Sequence, residues 1–472
     1  MVKIAMIGAG SLTFTRRVFM DILAVPELHD SHFHLMDIDE ERLEMAATLC
    51  RKMAVDSGAP AVIDATLDRR EAVAGADYVL SFVRVGGLTA FAHDIEIPLK
   101  YGVDQCVADT LGPGGIFYAL RTIPVLLDLA ADMRELAPGA LFLNYSNPMA
   151  MNTWALRRAG GVRAIGLCHG VQGGHHQIAD ALGLPPNEVD YICAGINHQT
   201  WYVQVSHQGR DMLPYLLEAF ERHPRYSQTE PVRIDVLRRF GYYSTESNGH
   251  LSEYVPWYRK RPAEIERWIS RDSWIGGETG GYLRICRETA DEYRQMFPKW
   301  MSGEADLIRL GDRSSEHASY IIEALETGRT YRGHFNVGNS GLITNLPEGC
   351  TVELPCYVDR TGIHPAWMGA LPMACAATCR VTVGVQEMAV EAALTGDREL
   401  VKLAVLHDPL TGAVCNTEEV WAMCDEMFEA LAPWLPQFNG EGRTWPDVPQ
   451  PQGGLLRFLE GAGDWRPPAL RA

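Results

Sequence analysis

The eleven cysteines of the sequence include no Cys-x-x-Cys pair and no dense framework, basic residues are in the minority, and no repeat or low-complexity linker interrupts the chain. The first absence argues against a paired-cysteine zinc site and against a small disulfide-stapled secreted domain. Reduced thiols are expected instead, most of them in the core, where free cysteine commonly sits. The 42 Lys and Arg are outnumbered by 60 Asp and Glu, for a net charge of −18. That balance excludes nucleic acid and an anionic membrane surface as natural partners. No apolar run approaches the roughly 18 residues expected of a membrane-spanning helix. The apolar start, Met1 to Ile7, is too short for a signal peptide and leads straight into a glycine turn. A cytoplasmic protein is therefore expected.

What is present is enough for two cores. At 472 residues the chain exceeds one typical domain. Residues 2–7 read as an apolar strand and Phe14–Leu23 as a helix, with Gly8-Ala9-Gly10-Ser11 between them. Strand, glycine turn, helix is the arrangement that presents backbone N–H groups and a helix N-terminus to a pyrophosphate. Thr13 stands where the third glycine of the fingerprint would be, so the match is partial. Phe33–Asp37 reads as a second strand ending in an acid. Asp37 is placed to bind ribose hydroxyls; the alternative is a plain turn in which Asp37 or Asp39 caps the next helix. A helix over 40–57 and strands over 61–65 and 76–82 follow. The turn Arg84-Val85-Gly86-Gly87 is a second point of cofactor contact. Val107 to Gly115 is glycine-rich and opens an apolar helix expected over 116–136. Asp109 and Thr110 either cap that helix or point into a crevice. With strands over 140–143 and 162–165, the alternation predicts an α/β fold: a Rossmann-type, doubly wound parallel sheet over residues 1–195.

After residue 195 the pattern changes. Residues 200–205 alternate as an antiparallel strand does. Helices are expected near 213–222, 230–240, 280–297, 313–326, 383–404 and 417–433. Residues 332–359 have strand character broken by turns, and the tail from Gly440 is expected to be extended. This predicts an α+β domain over 196–472 that carries catalytic and oligomer-forming surfaces, with the site between the domains.

Two stretches organise the chemistry. Asn144–Met149 and Gly166–Val171 each follow a strand, and in an open α/β sheet ligands bind beyond the carboxyl ends of the strands. Cys168 and His198, at such element ends, would leave most of a divalent ion's coordination open to substrate. The alternative is a buried cysteine and a hydrogen-bonded histidine. Asn147 suits a sugar or hydroxy-acid oxygen, or else an Asx turn. His169 either donates a proton, holds a hydroxyl or is simply exposed.

Taken together, Ile7–Ser11, Leu35–Asp39, Ala108–Gly115, Asn144–Thr153, Gly166–Gly173, Cys193–His198, Thr245–Tyr254 and Asn345–Gly349 resemble, in order, the motifs of glycoside hydrolase family 4, the NAD- and manganese-dependent glycosidases. The resemblance covers nearly the whole chain and is strongest to the α-galactosidase and α-glucosidase branch. It implies a divalent ion, Mn2+ or another, on Cys168 and His198, with Asn147, His169 and Asn197 toward the sugar. It implies NAD on Gly8, Gly10, Ser11 and Asp37, with Arg84 nearby. It also implies transient oxidation at sugar carbon 3, deprotonation at carbon 2, elimination and water addition, in place of two-carboxylate hydrolysis. Aligned on Leu251 and Tyr254, His250 is the carbon 2 base, with Glu246 and Tyr254 as competitors and Asp109 as a further catalytic candidate. His169 matches the leaving-group donor. It also favours an unphosphorylated sugar, because phospho-sugar branches carry Asn or Asp there. Gly170 departs from the serine typical of α-galactosidases, and Cys-His-Gly also occurs in α-glucosidases and α-uronidases. A small-molecule α-galactoside or α-glucoside ranks first, a uronide second, and a homodimer or homotetramer is expected. The rivals are a hydroxy-acid dehydrogenase, whose His-Asp pair and carboxylate-binding Arg find no place here, and a catalytically inert NAD-binding sensor.

Overall fold

Six short apolar segments, too short to be helices and each leading into one or more helices, set the first half of the architecture. In the computed structural model, which describes residues 1–440 and 443–457, they form β1 (Lys3–Ile7), β2 (His32–Met36), β3 (Val62–Thr66), β4 (Tyr78–Ser81), β5 (Leu141–Asn144) and β6 (Arg163–Leu167). Neighbours in this half pair in parallel, in the order β3-β2-β1-β4-β5-β6. The order reverses between β1 and β4, and a crevice for a ligand opens at such a switch point. The doubly wound parallel sheet expected of the first half is observed over β1 to β6.

The sheet does not stop at β6. It continues antiparallel through β10 (Tyr331–Gly338), β11 (Thr351–Asp359), β7 (Val189–Ile196), β8 (Gln199–His207) and the two-residue β9 (Arg210–Asp211), with β12 (Gly362–Pro365) paired to the C-terminal end of β11. One apolar core joins Ile4, Leu167, Ile196, Phe335 and Val352 across both halves. This extension positions the site. β10 pairs with β6 at Asn336↔Gly166, β11 with β10 at Glu353↔Asn336, and β7 with β11 at Gly195↔Glu353. The tight turn from β7 into β8 is thereby carried back beside the end of β6. Gly195 is required there, since a Cβ would lie 2.4 Å from the Gln199 carbonyl oxygen.

Several elements differ from expectation for local reasons. The helix expected over 116–136 begins at Gly112 and takes the glycines into its first turn. This Gly112–Leu136 helix is also long and apolar enough to cross a membrane by length and composition, which corrects the reading that no run qualifies. It lies inside the protein: 83% of its most apolar window is buried, and Arg121 within it is paired with Asp94. The helix expected over 383–404 is two, Met373–Thr395 and Arg398–His407. Gly396, at φ +76°, ends the first, and Asp397 caps the second by accepting from the Leu400 N–H. Gly87–Lys100 and Asn248–Tyr254, for which no element was expected, are helical. Of the eleven cysteines, nine are buried, and Cys168 and Cys286 are partly exposed. In the tail, Trp445, Val448 and Arg457 give backbone hydrogen bonds to Leu394, Arg158 and Thr361, so this extended stretch is docked; the remainder, 458–472, lies outside the described residues.

Candidate active site

The glycine turn meets Asp37 directly. The Gly10 N–H donates to Asp37 Oδ2 at 2.8 Å, and the other carboxylate oxygen accepts from the Asp39 N–H at 3.0 Å. Asp39, not Asp37, caps the helix Glu40–Ser57. A Cβ on Gly10 would fall 2.8 Å from that carboxylate and from Arg42 Cβ. The following helix, Leu12–Leu23, has Ser11 at its N-cap with no side-chain cap bond. The turn thus offers a helix N-terminus and an acid held at the end of the neighbouring strand, the two features a dinucleotide needs. Phe14 stacks on Phe82 and Tyr145 packs tilted against both, with centroids 5.3 to 5.7 Å apart, and Phe14 reaches His169 at 6.2 Å. These aromatics wall the route from the turn to the polar cluster.

At the end of β5, Asn144 makes the local turn: its Oδ1 accepts from the Ser146 N–H, and its amide donates to the Ser146 carbonyl. That frees Asn147, whose amide donates to Asp109 Oδ2 at 3.1 Å. Asp109 is 1% exposed and also faces Arg84 at 3.5 Å. The Arg84 guanidinium lies over Phe91, Tyr118 and Tyr282. Asp109 Oδ1 and Arg84 Nη1 have no partner among the described residues. Neither Asp109 nor Thr110 caps the long helix, whose N-cap is Leu111. Both point into the crevice, and Thr110 Oγ1 lies 2.9 Å from His250 Nε2.

Cys168 and His198 meet. Cys168 Sγ lies 3.2 Å from His198 Nε2, and Glu246 Oε2 lies 3.5 Å from the same nitrogen. His198 sits at φ +60°, a backbone state uncommon for any residue but glycine, which aims its ring at the thiol. A Cβ on Gly170 would touch Glu246 Oε2 at 3.5 Å and Cys168 Sγ at 3.9 Å, so this glycine leaves the cluster open on one side. Ligand atoms of His198, Glu246 and His250 all lie within 4.8 Å of one another. Burial pushes the Cys168 thiol well up, and the Glu353 and Glu246 carboxylates add to it. A thiolate at this position therefore calls for a cation beside it. Burial lowers the pKa of His198 and keeps it a neutral imidazole, the ligand form. Thiolate, imidazole and carboxylate form a donor set that fits a divalent transition-metal ion.

The sequence profile described as "Family 4 glycosyl hydrolase" matches residues 3–184, and that of the family's C-terminal domain matches residues 193–411. An "Alpha-galactosidase" from Rhizobium meliloti (strain 1021) is 58% identical over 438 residues, 92% of this chain and 89% of the relative. The chain belongs to glycosyl hydrolase family 4. Another "Alpha-galactosidase", from Bacillus subtilis (strain 168), is 38% identical over 93% of this chain and all of the relative. Among solved structures, the 6-phospho-beta glucosidase from Thermotoga maritima, determined with manganese, NAD+ and glucose-6-phosphate, has a TM-score of 0.73 at 23% identity, covering 92% of this chain and 99% of that one. At that distance it attests the fold.

In this family 4 chain most of the residues singled out in the sequence converge, and each has definite protein partners. Arg84, expected at the cofactor, groups with Asp109 and Asn147. Asn197, expected on the sugar, is 1% exposed and gives its amide to Glu353 Oε2 at 3.1 Å, so its contact is with β11. His169 has a half-exposed side chain at the mouth, 3.6 Å from Glu316. Tyr254 is 1% exposed and packs edge-on to His250. His250 is 2% exposed, with Nε2 at 2.8 Å from His198 Nδ1. Its Nδ1 meets Glu253 Oε2 at 2.6 Å. Burial would lower the pKa of His250, but the bond to Glu253 and the charges of Glu253, Glu246 and Asp109 raise it overall. Glu253, Glu353 and His317, whose Nε2 lies 3.2 Å from the Cys168 carbonyl oxygen, escaped the sequence reading. Only Glu253 left a signal there, its i,i+3 spacing from His250 in a helical stretch.

Proposed function

We propose that this family 4 chain is an α-galactosidase acting on unphosphorylated α-galactosides, with NAD and a divalent ion, Mn2+ foremost, as cofactors. The observation that carries the reading is the convergence of Cys168, His198 and Glu246 with His250 on one edge of a sheet whose first turn is built for a dinucleotide. The names of the two α-galactosidase relatives, 58% and 38% identical, support galactose as the sugar. His169 after Cys168 supports the absence of a phosphate.

The site residues fall into roles. Gly8, Gly10, Ser11 and Asp37 would hold the dinucleotide, and Cys168 and His198 the ion, with Glu246 beside them. When bound, NAD supplies the hydride acceptor for sugar carbon 3 and the ion supplies a Lewis acid at that carbon's oxygen, which together acidify the proton on carbon 2. Asn147, pinned by Asp109, orients a sugar hydroxyl. His250 removes the carbon 2 proton at Nε2, the nitrogen that Glu253 does not engage, in exchange for the hydrogen bond it accepts there from His198 or Thr110. His169, exposed at the mouth, protonates the departing oxygen on carbon 1 and then deprotonates the incoming water.

A panel of nitrophenyl α- and β-glycosides and uronides, each with NAD, Mn2+ and reductant present or omitted one at a time, tests this. Release from the α-galactoside that requires all three additions is expected. Release without NAD, or preference for a uronide, would overturn the reading.

A further inference from the structure

Glu253 is carried far from solvent by a helix of seven residues, Asn248–Tyr254, and is 6% exposed. A carboxylate near a helix C-terminus is poorly placed against the helix dipole, so something must hold it. Its Oε1 accepts from three successive backbone N–H groups, those of Cys106 at 2.7 Å, Val107 at 3.1 Å and Ala108 at 3.4 Å. Ala108 lies at φ +56°, which curls these N–H groups into an anion-binding concavity. Its Oε2 faces His250 Nδ1 at 2.6 Å and accepts from Cys106 Sγ at 3.4 Å. The two oxygens are therefore not interchangeable: one is fixed by donors that need an acceptor, and the other addresses the histidine.

We infer that Glu253 is a positioning residue that fixes the tautomer of His250, keeping the proton on Nδ1 and the lone pair on Nε2. The consequence runs one step further. With Nε2 unprotonated, His250 accepts from His198 Nδ1 at 2.8 Å or from Thr110 Oγ1 at 2.9 Å. When it accepts from His198, the lone pair of His198 is left on Nε2, the nitrogen 3.2 Å from Cys168 Sγ. Such outer partners set which nitrogen of a histidine is free. The part concerning proton abstraction rests on the proposed role of His250 as base; the tautomer assignment does not.

The informative variant is Glu253→Gln. The three backbone donors demand the amide oxygen, so the NH2 group must face His250 and drive its proton to Nε2. In 15N-histidine-labelled enzyme, at a pH where the ring is neutral, the His250 resonances are identified by their loss in His250→Gln. Wild type is expected to carry the proton on Nδ1 and Glu253→Gln on Nε2. Exchange of the carbon 2 hydrogen should fall about 10²- to 10⁴-fold in Glu253→Gln with KM little changed, and Glu253→Asp should restore part of it. A wild-type ring protonated on Nε2 overturns the inference, whether or not the variant folds, and so does an unchanged tautomer in Glu253→Gln. If His250→Ala retains carbon 2 exchange, the base assignment fails while the tautomer result stands, so the two failures are distinguishable.

Discussion

At the scale of single residues, the cluster turns on Cys168. Cys168→Ser replaces a potential thiolate with a hydroxyl that stays protonated and ligates poorly. The loss of Mn2+-dependent glycosidase activity should exceed about 100-fold, and His198→Ala should behave alike. Neither substitution touches the glycine turn, so NAD affinity, followed by fluorescence or calorimetry, should be unchanged. Wild-type turnover in Cys168→Ser with the same Mn2+ response would show that the thiol is a packing residue. Cys168 and His198 were legible because each follows a short apolar strand in a motif. The protein partners of Arg84 and Asn197 were not legible, because the sequence shows which strand end a side chain leaves but not which way it turns. Arg84 is drawn to the three rings of Phe91, Tyr118 and Tyr282, two of which come from distant segments.

At the scale of elements, the strand–turn–helix unit of β1 and Leu12–Leu23 is the part most open to a direct perturbation. Gly10→Val would drive its Cβ onto the Asp37 carboxylate and Arg42. NAD binding and glycosidase activity should collapse together, while circular dichroism stays near wild type because the strand itself is untouched. Retained activity would remove the dinucleotide from the mechanism. This unit, and the parallel half of the sheet, could be read from periodicity and glycine placement alone. The antiparallel half was only partly legible. The strand character of 332–359 was evident, but its insertion between β6 and β7 rests on pairings between distant segments, which no local pattern encodes. The same limit hid Glu253, whose backbone partner Cys106 lies 147 residues away. The long apolar helix Gly112–Leu136 was not counted as a run of spanning length because its charged residues break the run; inside the fold Arg121 is neutralised by Asp94 rather than by water.

At the scale of the molecule, a single continuous sheet and a core shared by both halves bring the proposed nucleotide-binding turn and the proposed ion-binding cluster to one crevice. A glycosidase working by two carboxylates has no use for the first of these. A chain that deprotonates sugar carbon 2 does, and this is the central claim. It is tested most directly by letting the enzyme, with NAD, Mn2+ and reductant, hydrolyse a nitrophenyl α-galactoside in deuterium oxide and locating the label in the released galactose by NMR. Deuterium at carbon 2 is the expected result, since the proton taken by His250 is returned from solvent. Galactose carrying no deuterium at carbon 2 would contradict the account.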